Sequence, residues 1–472
     1  MLFNSWQFAI FFPIVTLGYF SLPHRLRWQW LLVASCWFYA AFIPAFLAIL
    51  GLSIGIDYIA GIAIEDAPRR WRKPALIVSI LANVGLLAVF KYGAFAWENT
   101  AAAVQYFGGA LPPFPSLILP IGLSFHTFQA MSYTIEVYRG TQKAERHLGL
   151  YALYVLFYPQ LVAGPIERPQ NLLHQFCEPH IFDYDRVREG LLRIVWGLVK
   201  KVVIADRLAI AADVLFRDMP SQHGLGPVVS VVCFAFQIYC DFSGYSDIAL
   251  GCARIMGFNL MENFRQPYFA QSITEFWTRW HISLSTWFKD YVYIPLGGNR
   301  VGLPRWYANL VIVFLISGLW HGANWTFIVW GAYHGVLMVL AVALRGRIPL
   351  PAACKVVGTF CLVCVGWIFF RAESLAQAWA VSEHCGTEMW GLVAGEELTL
   401  GLDRLGVPVW EIAASIAGLL AAEWYQAARP AAVFQKILAC RWGARWAMYE
   451  IAFLLLVLAG KWGNKTFIYF QF

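Results

Sequence analysis

His321 stands in an apolar stretch of the sequence where a polar side chain needs an explanation. Residues 318–335 read GLWHGANWTFIVWGAYHG, so two histidines, an asparagine and a threonine lie among tryptophans and aliphatic residues. A buried polar group costs free energy unless it is hydrogen-bonded, and an ionisable group at membrane depth is by default a functional hypothesis. Because imidazole titrates near neutral pH, His321 is a candidate for proton transfer. The alternative is a core histidine whose nitrogens are satisfied by its neighbours.

The glycines on either side of His321 indicate the backbone conformation there. Gly318 and Gly322 bracket it, which predicts a broken helix or the close approach of another backbone. His334 follows thirteen residues later. On one straight helix that is about 220° around and about 20 Å along the axis. We therefore predict that His334 is a structural or interfacial histidine rather than a partner of His321.

A second stretch with chemical potential, QSITEFWTRWHISLSTWFKDYVYIPLGGNR, covers residues 271–300. Ser272 and Glu275 have the spacing of a capping box that opens a helix, and Glu275 and Arg279 form an i,i+4 pair. The 3.6-residue period places four side chains on another face: Trp277, His281, Ser285 and Phe288. The stretch is too polar for a lipid-facing span, so we predict an amphipathic or re-entrant helix that presents His281 to an interior cavity.

Two carboxylates, Asp241 and Asp247, lie within the apolar stretch QIYCDFSGYSDIAL. Carboxylates in such surroundings need partners or must be protonated. They could orient a histidine, bind a cation, or cap a helix broken at Gly244. Structural support is the interpretation that we favour for both.

The composition identifies the kind of protein that carries these residues. The chain is 60% hydrophobic and 13% charged, whereas a soluble domain is about half apolar and about a quarter charged. This indicates an integral membrane protein with many spans. The first apolar run, 8–20, lacks a basic n-region and a small-residue cleavage site, so we expect a retained span. The net charge of +7 indicates basic cytoplasmic loops at 24–27 and 69–73 rather than nucleic-acid binding, which places the N-terminus outside.

Apolar segments of spanning length recur along the whole chain. They cover about 5–21, 28–46, 47–64, 74–91, 116–135, 149–164, 190–215, 225–255, 306–320, 323–343, 354–370, 408–424 and 447–460. Proline and glycine interrupt them at 120–122 and 159–165, which predicts re-entrant pieces. We find no internal repeat and expect one domain over 1–472, with a catalytic core at about 116–345. The acidic segment 381–408 is predicted to be a polar loop, on the outside.

The residues alone leave two classes of function open. One is an intramembrane transferase that uses a histidine base on a hydroxyl, and the other is a transporter with a proton-coupled polar site. Transporters often contain repeated halves, which we do not find, so the enzyme is favoured. The ten cysteines show neither a disulfide framework nor a metal-ligand spacing.

The two stretches FWTRWHISLSTWFKDYVYIPLGGNR and LISGLWHGANWTFIVWGAYHG together resemble the signature region of the membrane-bound O-acyltransferase (MBOAT) family. More narrowly, they resemble the bacterial alginate O-acetyltransferase branch and its cellulose- and peptidoglycan-acetylating kin. The resemblance also covers LPIGLSFHTFQAMSYTIEVYRG, FYPQLVAGPIERP, DFSGYSDIALG, MENFRQPY, WIFFRAESLAQA and the closing FIYFQF.

The resemblance implies an all-α polytopic membrane protein of the MBOAT fold, with re-entrant helices around a central tunnel. The family's invariant histidine maps onto His321 as general base, and its second signature position maps onto His281. The other substrate-contacting or tunnel-lining candidates are Trp320, Trp280, Ser285, Asp241, Asp247 and Asn324. Indoles of Trp320 and Trp280, or backbone N–H groups near Gly322, are candidate oxyanion donors, and an acyl-serine at Ser283 or Ser285 stays open.

The resemblance also implies substrates and partners. Acetyl-CoA is the expected acetyl donor, consumed as a substrate, and neither a bound cofactor nor a metal is expected. The acetyl group is expected to cross the bacterial inner membrane to a periplasmic SGNH-type partner, which works with the synthesis and export machinery of an alginate- or cellulose-like exopolysaccharide. Membrane lipid surrounds the chain, and no nucleic acid is expected. The alternatives are acetylation of peptidoglycan or of a lipid-linked saccharide, or a non-catalytic export component.

Overall fold

The computed structural model describes the chain except for residues 116, 163, 346, 348, 395–400, 429–432, 464–466 and 469–472. Within the described part every regular element is a helix and no strand is present. This confirms the all-α prediction. The described chain forms two compact units, one of residues 1–191 with 248–261 and the other of residues 192–247 with 262–472.

The first unit is built from the N-terminal helices. They are α1 (Trp6–Ser21), α2 (His24–Ala40), α3 (Phe46–Asp66), α4 (Arg69–Phe90), α5 (Gly93–Tyr106), α6 (Leu123–Arg139), α7 (Leu148–Leu156), α8 (Tyr158–Leu161) and α9 (Pro169–Leu172). The interruptions predicted at 120–122 and 159–165 are confirmed, because α6 begins after Gly122 at φ 77° and α8 ends at Leu161. The sequence did not predict α5.

A buried polar cluster joins three helices of this unit. The amide of Asn83 on α4 donates to both carboxylate oxygens of Asp57 on α3, each at 2.9 Å. Ser79 Oγ donates to Asp57 at 2.6 Å and lies 3.0 Å from the hydroxyl of Thr134 on α6. Polar side chains that meet between apolar helices in this way hold them together.

The second unit contains most of the remaining helices, and residues of α10 and α12 are divided between the two units. They are α10 (Tyr184–Leu198), α11 (Asp206–Arg217), α12 (Gly226–Met256), α13 (Ile273–Arg279), α14 (Ile282–Phe288), α15 (Leu303–His321), α16 (Trp325–Ala343), α17 (Ala352–Arg371), α18 (Leu375–Ala394), α19 (Val409–Ala427), α20 (Val433–Ala439) and α21 (Trp442–Leu454). A π-helical turn, Val199–Ala205, joins α10 to α11. The helix α20 was not predicted.

Seven helical segments of the described chain are long and apolar enough to cross a membrane. They are Phe46–Asp66, Arg69–Phe90, Gly226–Met256, Leu303–His321, Trp325–Ala343, Ala352–Arg371 and Trp442–Ala459. The chain is therefore a multi-pass membrane protein.

The prediction of a polar loop over 381–408 is wrong for its first half. Residues up to Ala394 continue α18, and Val381 on this helix is fully buried. The acidic and polar side chains of α18 hold a neighbouring loop instead: Glu388 accepts from the backbone N–H of Gly224, and His384 hydrogen-bonds Gln222 O at 2.7 Å. Glu396 and Glu397 lie outside the described residues.

The helices α15 and α16 form a hairpin whose backbones are in contact. A Cβ atom added at Gly318 would lie 2.2 Å from Phe327 O, and one added at Gly331 would lie 2.4 Å from Phe314 O. Only glycine permits this approach, as in other membrane helix pairs with small residues at the interface. The hairpin fixes the position of His321, the last residue of α15.

Candidate active site

His321 lies where α15 reverses into α16. Gly322 is extended and ends α15, and Asn324 caps α16 by accepting from Thr326 N at 3.0 Å. The predicted helix break and close backbone approach are both confirmed. The reversal takes only a few residues, so the His321 side chain is placed by two packed helices rather than by a loop.

The imidazole of His321 is enclosed by aromatic rings and is only 5% exposed. The ring centroids of Trp320 and Trp330 both lie 5.0 Å from that of His321, and Phe370 lies at 5.2 Å. All three meet the imidazole edge to face. These contacts fix the orientation of the ring and keep bulk water away from it, which strengthens any electrostatic interaction made there.

The predicted start of the helix before His281 is confirmed. Ser272 Oγ accepts from Glu275 N at 3.1 Å and caps α13, and Glu275 pairs with Arg279 at 2.5 Å. The second half of the capping box is displaced by one residue, because the Glu275 carboxylate accepts from Gln271 N.

The prediction of one helix with His281 on a shared face is wrong. The helix stops at Arg279 and restarts at Ile282, and His281 between them adopts φ 43°, ψ 55°. The left-handed region is uncommon for a residue other than glycine and costs about 1–3 kcal/mol. Trp277, Ser285 and Phe288 therefore do not share a helical face with His281. Strain at a buried histidine is typical of a functional position.

The strained corner is held by Asn263, a residue that the sequence analysis did not single out. Its backbone carbonyl accepts from Ile282 N at 2.9 Å, and its side-chain oxygen accepts from Ser283 Oγ at 2.6 Å. Asn263 is 1% exposed. It belongs to the motif MENFRQPY, so the only signal in the sequence was a polar residue inside a segment that carries the family resemblance.

The structure brings the two predicted histidines into one aromatic cluster. Trp320 lies between them, with ring centroids 6.4 Å from His281 and 5.0 Å from His321. Phe242 of α12 packs against His281 at 4.6 Å. His281 lies outside the seven candidate spans, and burial lowers its pKa to about 3. Its imidazole is therefore neutral at neutral pH and suits hydrogen bonding to a substrate.

Asp241 and Asp247 have cationic partners. Asp241 pairs with Lys201 at 2.8 Å, while Asp247 pairs with Arg193 at 2.9 Å and with Lys200 at 2.5 Å. The interpretation that they cap a helix broken at Gly244 is wrong, because α12 runs unbroken from Gly226 to Met256.

Gly244 instead lies at a close helix contact, which could not be predicted from the sequence. A Cβ atom at this position would lie 2.7 Å from Gly197 O. Glycine therefore lets α10 approach α12 closely. This approach sets the distance between the two aspartates on α12 and their basic partners, which lie on α10 and in the π-helical turn after it.

The closing motif of the sequence reaches the same region. Ile468 N donates to Asp241 at 2.8 Å, and the Phe467 ring packs on Tyr245 at 4.7 Å and on Phe242 at 5.5 Å. Phe242 also packs on His281. A chain of two ring contacts therefore links Phe467, in this motif, to His281. Residues 469–472 lie outside the described part of the chain.

Three further candidates make defined contacts within the protein. Ser285 Oγ donates to Trp280 O at 3.1 Å, and the Trp280 ring packs on Trp367 at 5.0 Å. The amide of Asn324 donates to Glu373 O at 2.9 Å. Contact of these residues with a substrate stays a prediction, as does a serine-linked intermediate.

His321 and His334 do not lie on one straight helix, so the distance of about 20 Å expected between them on that basis is wrong. His321 ends α15, whereas His334 lies inside α16 and is 1% exposed. The Trp330 ring lies between the two imidazoles, 5.0 Å from His321 and 4.9 Å from His334. His334 therefore belongs to the surroundings of the candidate base.

Comparison with known proteins gives concordant matches. A family model described as MBOAT, membrane-bound O-acyltransferase family, matches residues 147–363. A probable alginate O-acetylase AlgI of Azotobacter vinelandii is 43% identical over 398 residues, which cover 80% of this chain and 77% of that protein. A protein of the same name from Pseudomonas aeruginosa is 43% identical over 392 residues, covering 81% of this chain and 74% of that one.

A relative named for a different acceptor matches an equal share of the chain. The peptidoglycan O-acetyltransferase of Helicobacter pylori is 36% identical over 416 residues, covering 80% of this chain and 78% of that protein. Relatives of both kinds carry out O-acyl transfer by name, and the chain shares most of their length. With its seven apolar helices and its buried histidine cluster, this chain belongs to the membrane-bound O-acyltransferase family and is a multi-pass membrane O-acyltransferase.

Proposed function

We propose that this chain takes acetyl from cytoplasmic acetyl-CoA and passes it across the bacterial inner membrane for O-acetylation of an exopolysaccharide, with His321 as general base. The observation that carries the proposal is the position of His321. It lies at the turn of a tightly packed hairpin, is enclosed by aromatic rings, and is separated from the second signature histidine, His281, by one tryptophan. The similarity to alginate O-acetylases supports the choice of acetyl and of a polysaccharide.

The chemistry assigned to His321 is proton transfer. Its imidazole takes the proton of the acceptor hydroxyl while that oxygen attacks the carbonyl carbon of the thioester. Collapse of the tetrahedral intermediate breaks the carbon–sulfur bond, and the imidazolium returns the proton to the thiolate of CoA. A positioned base contributes about 10²–10⁴ in rate. The surrounding rings exclude water, which would otherwise hydrolyse the thioester.

His281 is assigned a supporting role in the same step. With its neutral ring it can donate one hydrogen bond and accept another, so it can orient the acyl donor or the acceptor hydroxyl. The periplasmic receiver is an SGNH-type transferase, and the final acceptor is an alginate- or cellulose-like polymer. Peptidoglycan is the second candidate acceptor, because the Helicobacter pylori relative carries that name and covers the chain equally well.

The proposal is tested by measuring free CoA released from acetyl-CoA by the detergent-purified protein, with and without membrane extract and the periplasmic partner. We expect His321→Ala to lose at least the factor of about 10² assigned to a base, and His281→Ala to lose activity as well. His174→Ala changes an exposed histidine and should match the wild type. Wild-type protein that never consumes acetyl-CoA, even with acceptor and partner present, would contradict the proposal.

A further inference from the structure

Trp330 carries a buried hydrogen-bond donor that the protein leaves unused. The residue is 0% exposed, and its indole nitrogen has no hydrogen-bond partner within the described part of the chain. Indole can only donate, and a buried donor without an acceptor costs about 1–3 kcal/mol. A phenylalanine would fill this position without that cost, so the N–H group calls for a functional explanation.

The Trp330 ring is held in one orientation beside the candidate base. Its centroid lies 5.0 Å from His321, with the two rings nearly perpendicular at 81°. Phe370 packs on Trp330 at 5.4 Å, and Trp277 packs on it at 5.7 Å. The backbone contact at Gly331, the next residue, fixes α16 against α15. The indole N–H is thus fixed relative to His321 before any substrate binds.

The far side of Trp330 is supported by a second polar ring. His334 packs on Trp330 at 4.9 Å and on Trp277 at 5.1 Å. Space for this imidazole depends on Gly366 of α17, where an added Cβ would lie 2.7 Å from His334 Nε2. Neither ring nitrogen of His334 has a hydrogen-bond partner among the residues that the structure describes. His334 and Trp277 are therefore positioning residues for the Trp330 indole.

The reaction proposed above requires a donor at this place. When the acceptor hydroxyl attacks the thioester, the carbonyl electrons move onto oxygen, and a fixed N–H group close to the base stabilises that charge. The sequence pointed to the indoles of Trp320 and Trp280. The structure shows a buried indole N–H beside His321 that no described residue uses, and it belongs to Trp330.

We infer that Trp330 is a further catalytic residue, whose indole N–H donates a hydrogen bond to the carbonyl oxygen of the acyl donor as this becomes an oxyanion. The inference rests on the proposed function. Trp330 transfers no proton: a carbon–oxygen bond forms, the oxyanion is held by the N–H group, and the carbon–sulfur bond then breaks as the carbonyl is restored. The proton moves from the hydroxyl to His321 and on to the thiolate.

The test removes the N–H group and keeps the ring. We would incorporate 3-benzothienylalanine at position 330, which replaces N–H by sulfur in a bicyclic ring of similar shape, and make Trp330→Phe beside it. Both should lower kcat for CoA release by about 10²–10³, as loss of one oxyanion donor does. KM for acetyl-CoA should change little, because the interaction strengthens only in the transition state. Detergent size-exclusion profiles should stay those of the wild type.

The matched control is the same pair of changes at Trp306, whose indole N–H donates to Tyr293 Oη at 2.8 Å near the other end of α15. These changes should leave kcat at the wild-type value.

The outcomes separate the inference from the proposed function. A protein with benzothienylalanine at position 330 and wild-type kcat would overturn the role of Trp330. This result would decide the question even if Trp330→Phe failed to fold. A rise in KM with kcat unchanged would overturn it too, since that pattern reports ground-state binding. A wild-type protein that releases no CoA would instead overturn the proposed function on which the inference rests.

Discussion

Replacement of Gly331 by alanine should damage both the stability and the activity of this protein. The added Cβ would lie 2.4 Å from Phe314 O, 3.1 Å from the carbonyl carbon of that residue and 3.2 Å from Leu315 Cα. All three atoms belong to the backbone of α15, so no side chain can rotate away. Ordinary van der Waals contact begins at 3.4 Å. The two helices must therefore separate by about 1 Å, the difference between 3.4 and 2.4 Å.

The magnitude follows from two opposing effects. Overpacking of this kind costs about 1–3 kcal/mol, whereas alanine in place of a helical glycine gains about 1 kcal/mol. The net loss of stability is thus roughly 0–2 kcal/mol. Activity should suffer more, because His321 and Trp330 lie on the two helices that move apart. A displacement of about 1 Å in a positioned group costs about 10²-fold in rate.

The matched control is Gly358→Ala on α17, where an added Cβ meets no atom within 4 Å. This variant should keep full activity and melt at or slightly above the wild-type temperature. The assays are CoA release and thermal unfolding followed by detergent size-exclusion chromatography. If Gly331→Ala behaved like Gly358→Ala in both assays, the contact between the two helix backbones would not be what positions His321.

Three further predictions concern other parts of the molecule. Asn263→Ala removes the acceptor for Ser283 Oγ at the strained corner, so His281 should leave its left-handed conformation and kcat should fall by about 10-fold or more, measured as CoA release. Asp247→Ala leaves the buried Lys200 without its carboxylate, while Arg193 keeps its second partner, Glu262. The change should cost about 3–5 kcal/mol, seen as loss of monodisperse protein, whereas Asp185→Ala, which removes a carboxylate that is 81% exposed, should be neutral. Burial raises the pKa of Glu167 from 4.5 to about 7; the folded protein then holds a proton that the unfolded chain releases, so stability should fall as pH rises through this range, by at most roughly 3 kcal/mol. Glu167→Gln should flatten that dependence in a series of melting temperatures from pH 4.5 to 7.5, and an unchanged slope would contradict the assignment.

The parts of the fold that were predictable are those governed by local rules. Apolar length and the scarcity of charge predicted a polytopic helical protein, and glycine and proline predicted the interruptions at 120–122 and 159–165. Ser272 and Glu275 predicted the first turn of α13 because capping acts within four residues. The prediction failed at His281, where the helix breaks without glycine or proline. Hydrogen bonds donated to a distant residue, Asn263, override the local preference there, and periodicity within 271–300 could not reveal them.

The composition of the site shows the same division. His321 and His281 could be selected from the sequence because a histidine among apolar residues is conspicuous by itself. The cations that pair with Asp241 and Asp247 depend on which helices pack together. The same holds for the ring contacts that join His334 to His321 through Trp330. The 3.6-residue period relates residues on one helix only. Because the chain reverses at Gly322, it could not show that His334 and His321 pack on the same tryptophan.

The two histidines are positioned by different physical means, and this difference fits the roles proposed for them. His321 ends a helix whose partner is in backbone contact with it, so moving its imidazole requires moving two membrane helices. His281 is held in a costly backbone conformation by three hydrogen bonds that Ile282 and Ser283 donate to Asn263. This support is local and more easily altered. A base must keep its distance to the reacting hydroxyl within a fraction of an ångström. A residue that orients a donor entering and leaving the site can tolerate a softer support. The rigid hairpin therefore suits the base at His321, and the strained corner suits a substrate-orienting role for His281.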